Sequence, residues 1–137
     1  MKVLDARGCI VGRLASHAAK SLLNGDDIHI INAEEAVISG NRDSVMGEYI
    51  EKRQLNHPRK GPFYPRMPHL MLKRAVRGMI PYQKPRGREA FKRLKVDIGK
   101  PASIDEKNVE TVHNALMNDN TKYVSLGEVS KILGAKF

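Results

Sequence analysis

Several things are scarce in this chain of 137 residues, and each scarcity removes a class of protein. There is one cysteine, Cys9, so no disulfide can form within the chain. No run of apolar residues exceeds three, which provides neither the core of a signal peptide nor a membrane span. Together these point to a protein of the cytoplasm with no membrane partner. Cys9, followed by Ile10 and Val11, reads as a small buried hydrophobe rather than a reactive thiol. The five histidines, at 17, 29, 57, 69 and 113, never fall at the short spacings that put two ligands on one metal, so no metal site is expected. The acidic pairs Asp26–Asp27 and Glu34–Glu35 are adjacent, their side chains diverge on a strand or helix, and paired acid and base work is not indicated. Repeats and low-complexity tracts are absent.

Acid is the scarcest commodity in one region. The chain carries 24 Lys plus Arg against 15 Asp plus Glu, a net charge of +9. Residues 52–95 hold 14 of those basic side chains and one acid, Glu89, which leaves 10 basic against 14 acidic residues elsewhere. A solvated face normally interleaves both signs, whereas this stretch repels itself without a counter-charge. Nucleic acid is the partner it suggests. Arginine can fork onto phosphate oxygens and lysine acts as a point charge, with little base selectivity from either. Phe63, Tyr64 and Tyr82 sit among the cations, and stacking on unpaired bases and packing in the core are equally open to each. A membrane-surface helix needs a broader apolar face with bulky anchors. A disordered tail would lack the helical spacing of Leu, Val, Met and Phe found here.

The length fits one domain, residues 1–137, able to bury a core without a staple. "MKVLDA" reads as a strand. Ile10, Val11, Leu14, Ala15, Ala18, Leu22 and Leu23 then recur at helical spacing, with Arg13, Ser16, His17, Lys20 and Ser21 on the other face and Gly25 at the C-cap. "DDIHIINA" is a second strand, which completes a βαβ unit, and "EEAVISG" a third short apolar run. A helix from Asn41 buries Val45, Met46, Tyr49 and Ile50. It gives out at "NHPRKGPFYPRMPH", residues 56–69, too rich in proline for regular structure and long enough to suggest function. Leu70, Leu72, Ala75, Val76, Met79 and Ile80 form the apolar face of the next helix, with Lys73, Arg74 and Arg77 opposite. Pro81 stops it. Pro85 and Gly87 mark a turn before a short helix that packs Ala90, Phe91 and Leu94 and points Arg88, Lys92 and Lys95 outward. "VDIG" suggests a strand and "DEKNVETVHNALMNDN" a weakly patterned helix. "KYVS" is strand-like, and the last helix packs Leu126, Val129, Ile132 and Leu133.

A strand-to-helix turn with glycines, "DARGCIVGRLAS", can cradle phosphate on helix amides. Here the spacing is GxxxG, which matches neither GxGxxG nor GxxxxGK with Ser or Thr. Glycines that permit a tight turn explain it more simply, and no cofactor or small-molecule substrate is expected.

"VRGMIP" followed by "RGREAFKRLKV" resembles the signature of the ribosomal protein L-thirteen family of the large subunit. "DARGCIVGRLAS" and "INAEEAVISG" are similar to that family's first two landmarks, in order, and "SLGEVSKILGAKF" to the ending of archaeal and eukaryotic members. The likeness spans the chain apart from about residues 100–120. "PRKGPFYPRMPH", where bacterial members usually have a glycine- and serine-containing loop, and Asp97, where an aromatic is common, both favour the archaeal and eukaryotic branch. The resemblance implies an α/β fold, three-layer α/β/α around a parallel sheet of about four strands, with a basic loop and helical extension. It also implies a non-enzymatic partner of large-subunit rRNA and of neighbouring ribosomal proteins, acting in subunit assembly. The candidate RNA-binding residues are Arg59, Lys60, Arg66, Lys73, Arg74, Arg77, Lys84, Arg86, Arg88, Lys92, Arg93 and Lys95. Gly78, Pro81 and Gly87 are expected to shape the turn between the two basic helices.

Overall fold

A computed structural model describes residues 2–55, 58–118 and 122–137. His57, the first positions of the expected 56–69 loop and the end of the expected helix at 105–120 lie outside the described residues.

β1 (Lys2–Asp5) and β2 (Ile28–Ile31) run parallel in the register Lys2 to Ile28, joined by α1 (Val11–Leu23). α1 buries Leu14, Ala15, Ala18, Ala19 and Leu22, and Ser21, expected on its polar face, is buried as well. The helix closes as a Schellman motif: the Gly25 N–H donates to the Leu22 carbonyl and the Asp26 N–H to that of Ser21, each at 3.1 Å. That crossing of the chain needs φ of +99° at Gly25, a conformation glycine adopts without strain.

β4 (Leu94–Val96) adds beside β2 and β5 (Val109–Thr111) beside β1, giving a four-stranded parallel sheet of order β4-β2-β1-β5. All four residues of β2 are buried, as a parallel strand covered on both faces requires. Helices flank the sheet in the three-layer α/β/α arrangement. Leu4, Ile28, Ile30, Leu94 and Val96 join the main apolar core. His29, between two of them, points the other way and sets its Nε2 2.5 Å from an Asp97 carboxylate oxygen. β3 (Val37–Ser39) leaves this sheet and pairs antiparallel with β6 (Tyr123–Ser125) in a separate two-stranded ribbon.

The remaining helices are α2 (Arg42–Gln54), α3 (Pro68–Arg77), α4 (Pro85–Lys92) and α5 (Leu126–Ile132). Several expected edges shift. Ile50, Leu70, Met79 and Ile132, assigned to buried faces, are 36–46% exposed. α3 starts at Pro68, whose missing N–H costs nothing at a helix start, and buries Met71 beside Leu72 and Val76. It ends at Arg77, four residues before Pro81. The Met79 and Ile80 N–H groups then bond three residues back, to Val76 and Arg77, and this tighter winding turns Ile80 inward and Met79 outward. α4 begins at Pro85 and takes in Gly87, and it stops before Leu94 because Leu94 pairs with Ile28 at the start of β4. The described part of 105–120 is not an α-helix. It forms β5 between two short 3-10 turns, at Glu106–Asn108 and His113–Ala115.

Candidate nucleic-acid interface

α3 turns Pro68, Met71, Leu72 and Val76 into the core, which leaves Lys73 and Arg74 half-buried on its flank and Arg77 exposed. α4 buries only Gly87 and Ala90, so Arg86, Arg88 and Lys92 stand in solvent, with Lys84 at the N-cap. Arg59 and Lys60 lie exposed in the loop before α3. Lys95 projects from β4 between buried Leu94 and Val96.

The two helices are linked by cation–aromatic contacts. The Lys73 ammonium lies 5.2 Å from the Phe91 ring centre, and the Arg77 guanidinium lies 5.6 Å from that of Tyr82. Tyr82 meets Phe91 edge to face at 5.4 Å. Also on α3, Arg74 sits 4.9 Å over Tyr64, which packs edge-on against Tyr49 of α2 at 5.9 Å. Burial pushes the Tyr49 hydroxyl far above its usual range, with the neighbouring Tyr64 adding to it, so it stays protonated. Such contacts hold long cationic side chains in place without neutralising them.

Carboxylates supply partners elsewhere: Asp26 to Lys2, Glu128 to Arg42, Glu48 to Lys52 and Glu106 to Lys100. Among the described residues, no ion pair reaches Lys73, Arg74, Arg77, Lys84, Arg86, Arg88, Lys92 or Lys95.

Two of the candidate cations sit apart. Arg93, at the C-cap of α4, donates from a terminal guanidinium nitrogen to the Leu22 carbonyl at the end of α1, and its Nε is buried. It braces the helices from behind. Arg66 reaches toward Gly134, past the end of α5. Of the three turn residues, Gly78 caps α3 with an ordinary right-handed backbone, Pro81 lies in the turn, and Gly87 is the second helical residue after Pro85. Gly87 is where glycine is indispensable, because a Cβ there would stand 1.9 Å from the Pro81 carbonyl oxygen.

Lys52 and Arg53 were not singled out from the sequence. Lys52 lies 4.8 Å from the Tyr49 ring centre and 5.6 Å from that of Tyr64, while Arg53 donates to the Tyr64 carbonyl at 2.5 Å. The charge count of 52–95 includes both, and their place beside Tyr64 is tertiary information.

In the glycine turn after β1 the amides before α1 are engaged by backbone carbonyls. The Gly8, Cys9 and Ile10 amides donate to the carbonyls of Glu35, Ala6 and Ala115, so none points at a vacant phosphate cradle. Cys9 is fully buried, and burial, with the nearby Asp5 charge, pushes its thiol up to about 11. It is protonated at neutral pH and has none of the exposure or electropositive setting of a reactive thiol. Burial also pushes the Asp5 carboxyl upward, but hydrogen bonds from the Arg7 backbone and side chain and from Asn32 outweigh it and hold the group below its usual value. Among the described residues no cluster of His, Cys, Asp or Glu could hold a metal ion, and no helix is long and apolar enough to cross a membrane.

A four-stranded parallel sheet flanked by helices, with cations gathered on two short helices beside it, defines a small basic α/β protein. The sequence profile described as "Ribosomal protein L13" matches residues 1–103. The chain belongs to the ribosomal protein L13 family. It is 48% identical, over 140 residues covering the whole of both chains, to large ribosomal subunit protein uL13 of Methanosarcina barkeri. It is likewise 48% identical over 143 residues, again the whole of both chains, to uL13 of Methanocaldococcus jannaschii. With uL13 of Methanosphaera stadtmanae it shares 46% over 139 residues, 98% of each. The likeness is to archaeal members and runs through residues 104–137, beyond the profile match.

Proposed function

We propose that this protein is a structural constituent of the large ribosomal subunit in the cytoplasm, where residues 1–137 act as one domain. Its α3–α4 face binds large-subunit rRNA, and the flanks meet neighbouring ribosomal proteins. The observation that carries this is the set of cations on α3, α4 and β4 that no carboxylate of the described chain neutralises. Lys73, Arg74, Arg77, Lys84, Arg86, Arg88, Lys92 and Lys95 supply phosphate contacts, with Arg59, Lys60 and Arg66 extending them along the loop. Arg93 supports the surface from inside. α4 fits the same reading, since its first turn holds Arg86 and Arg88, no acid and no side-chain cap, the reverse of what an isolated helix prefers. Phosphate at that end would supply the missing negative charge. By binding several RNA segments at once the protein would favour their folded arrangement and so act in subunit assembly, with no turnover.

Cosedimentation with large subunits tests this. The wild-type protein should stay with the subunit through a high-salt wash, and the double variant Arg74→Glu, Arg77→Glu should be lost from it. Release of wild type at moderate salt, or retention of the double variant, would contradict the proposal.

A further inference from the structure

The basic surface contains a depression that phosphate binding alone does not explain. It has a volume of about 330 Å³ and is lined by Phe63, Pro65, Leu70 and Phe91 together with Lys73, Arg74 and Arg77. Phe63 is 61% exposed and Leu70 43%, so two large apolar side chains meet water in the middle of a field of positive charge. Exposed apolar surface placed this way marks a contact.

The wall of the depression is built rather than adventitious. The loop that carries Phe63 and Pro65 is tied to α2 where Arg53 donates to the Tyr64 carbonyl, and the Tyr64 ring is flanked by Arg74 at 4.9 Å and Lys52 at 5.6 Å. The opposite wall, Phe91, is fixed edge-on by Tyr82 at 5.4 Å and carries Lys73. The volume lies at the small end of the roughly 300–1,000 Å³ that ligand sites span. That suits one planar ring system and is too little for a helix or a strand of protein.

Resting on the rRNA-binding reading, we propose that this groove receives a single unpaired nucleobase of the RNA, stacked on Phe63 against Leu70 and Phe91, with its flanking phosphates on Lys73, Arg74 and Arg77. A continuous A-form duplex offers a convex sugar-phosphate surface and cannot fill an apolar hollow, whereas a bulged nucleotide offers a π-face and two phosphates together.

The test uses the full-length protein and two hairpin RNAs, one fully paired and one with a single bulged 2-aminopurine. Wild type should bind the bulged RNA about tenfold more tightly than the paired one, the worth of one base–aromatic stack, and should quench the 2-aminopurine fluorescence. Phe63→Ala should lose the preference and the quenching while keeping the same salt dependence, and Phe63→Trp should retain both. Salt-dependent binding with equal affinity for the two RNAs, or a preference that survives Phe63→Ala, overturns the groove assignment alone. Salt-independent binding to both overturns the rRNA-binding reading with it. If Phe63→Ala leaves RNA binding and quenching intact but lowers incorporation into large subunits, the groove seats a neighbouring protein and the proposal fails.

Discussion

Gly87 has no room for a side chain, because α4 presses this third residue of the helix directly against the Pro81 carbonyl. Gly87→Ala should therefore destabilise the fold by about 1–3 kcal/mol, as overpacking does, and loosen the α3–α4 turn. Gly12 is the control: it lies in α1 with nothing within 4 Å of where its Cβ would be. Gly12→Ala should be neutral or stabilise by up to about 1 kcal/mol, and urea unfolding of both variants checks the pair. Asp5 yields a pH prediction. Its folded-state pKa lies below the unfolded value, so its stabilisation is complete above about pH 4, the ordinary aspartate range, and is lost as pH falls through the lower folded value. Asp5→Asn should be less stable than wild type at neutral pH, and the gap should narrow on acidification below about pH 4. A gap that widened there would show that the carboxylate gains nothing from Arg7 and Asn32.

At the scale of elements, two arginines in the same basic stretch are predicted to fail in different ways. Arg93 donates into the carbonyl end of α1, so Arg93→Ala should cost about 1–2 kcal/mol of stability, as loss of a charged hydrogen bond does. Arg77 is exposed and leans on Tyr82, so Arg77→Ala should leave stability within about 0.5 kcal/mol and weaken RNA binding. Thermal melts beside RNA titrations separate the two. Sequence spacing found α1, α2, α3 and α5 because each keeps an apolar stripe at helical period, and it found β1 and β2 as apolar runs. It did not separate Arg93 from Arg77, since both read as cations on a polar face and only the folded chain brings Leu22 to Arg93. Leu70 and Ile132 have stripe spacing yet stay exposed, because what covers a helix flank is decided by its neighbours. β5 was missed for a similar reason. "VET" has one apolar residue and no strand signal of its own, and it is a strand because β1 offers a parallel edge to it.

Across the whole molecule, the uneven charge of the sequence becomes a two-part structure. Among the described residues, acids outside 52–95 pair with Lys2, Arg7, Arg42, Lys52 and Lys100, while the cations of α3, α4 and β4 have no ion pair. That division was legible from counting residues, and the family from four motifs in order. The apolar groove between Phe63 and Phe91 was not, because 28 positions separate residues that only the packing of the loop, α3 and α4 makes neighbours. Exchange of counterions for rRNA phosphates at this surface is tested by the salt dependence of binding to a large-subunit rRNA fragment. If about six phosphates are contacted, log affinity should fall against log salt with a slope of roughly −4 to −5, shallower by about 2 in the Arg74→Glu, Arg77→Glu variant. A slope near zero, or one that the double variant leaves unchanged, would contradict the account.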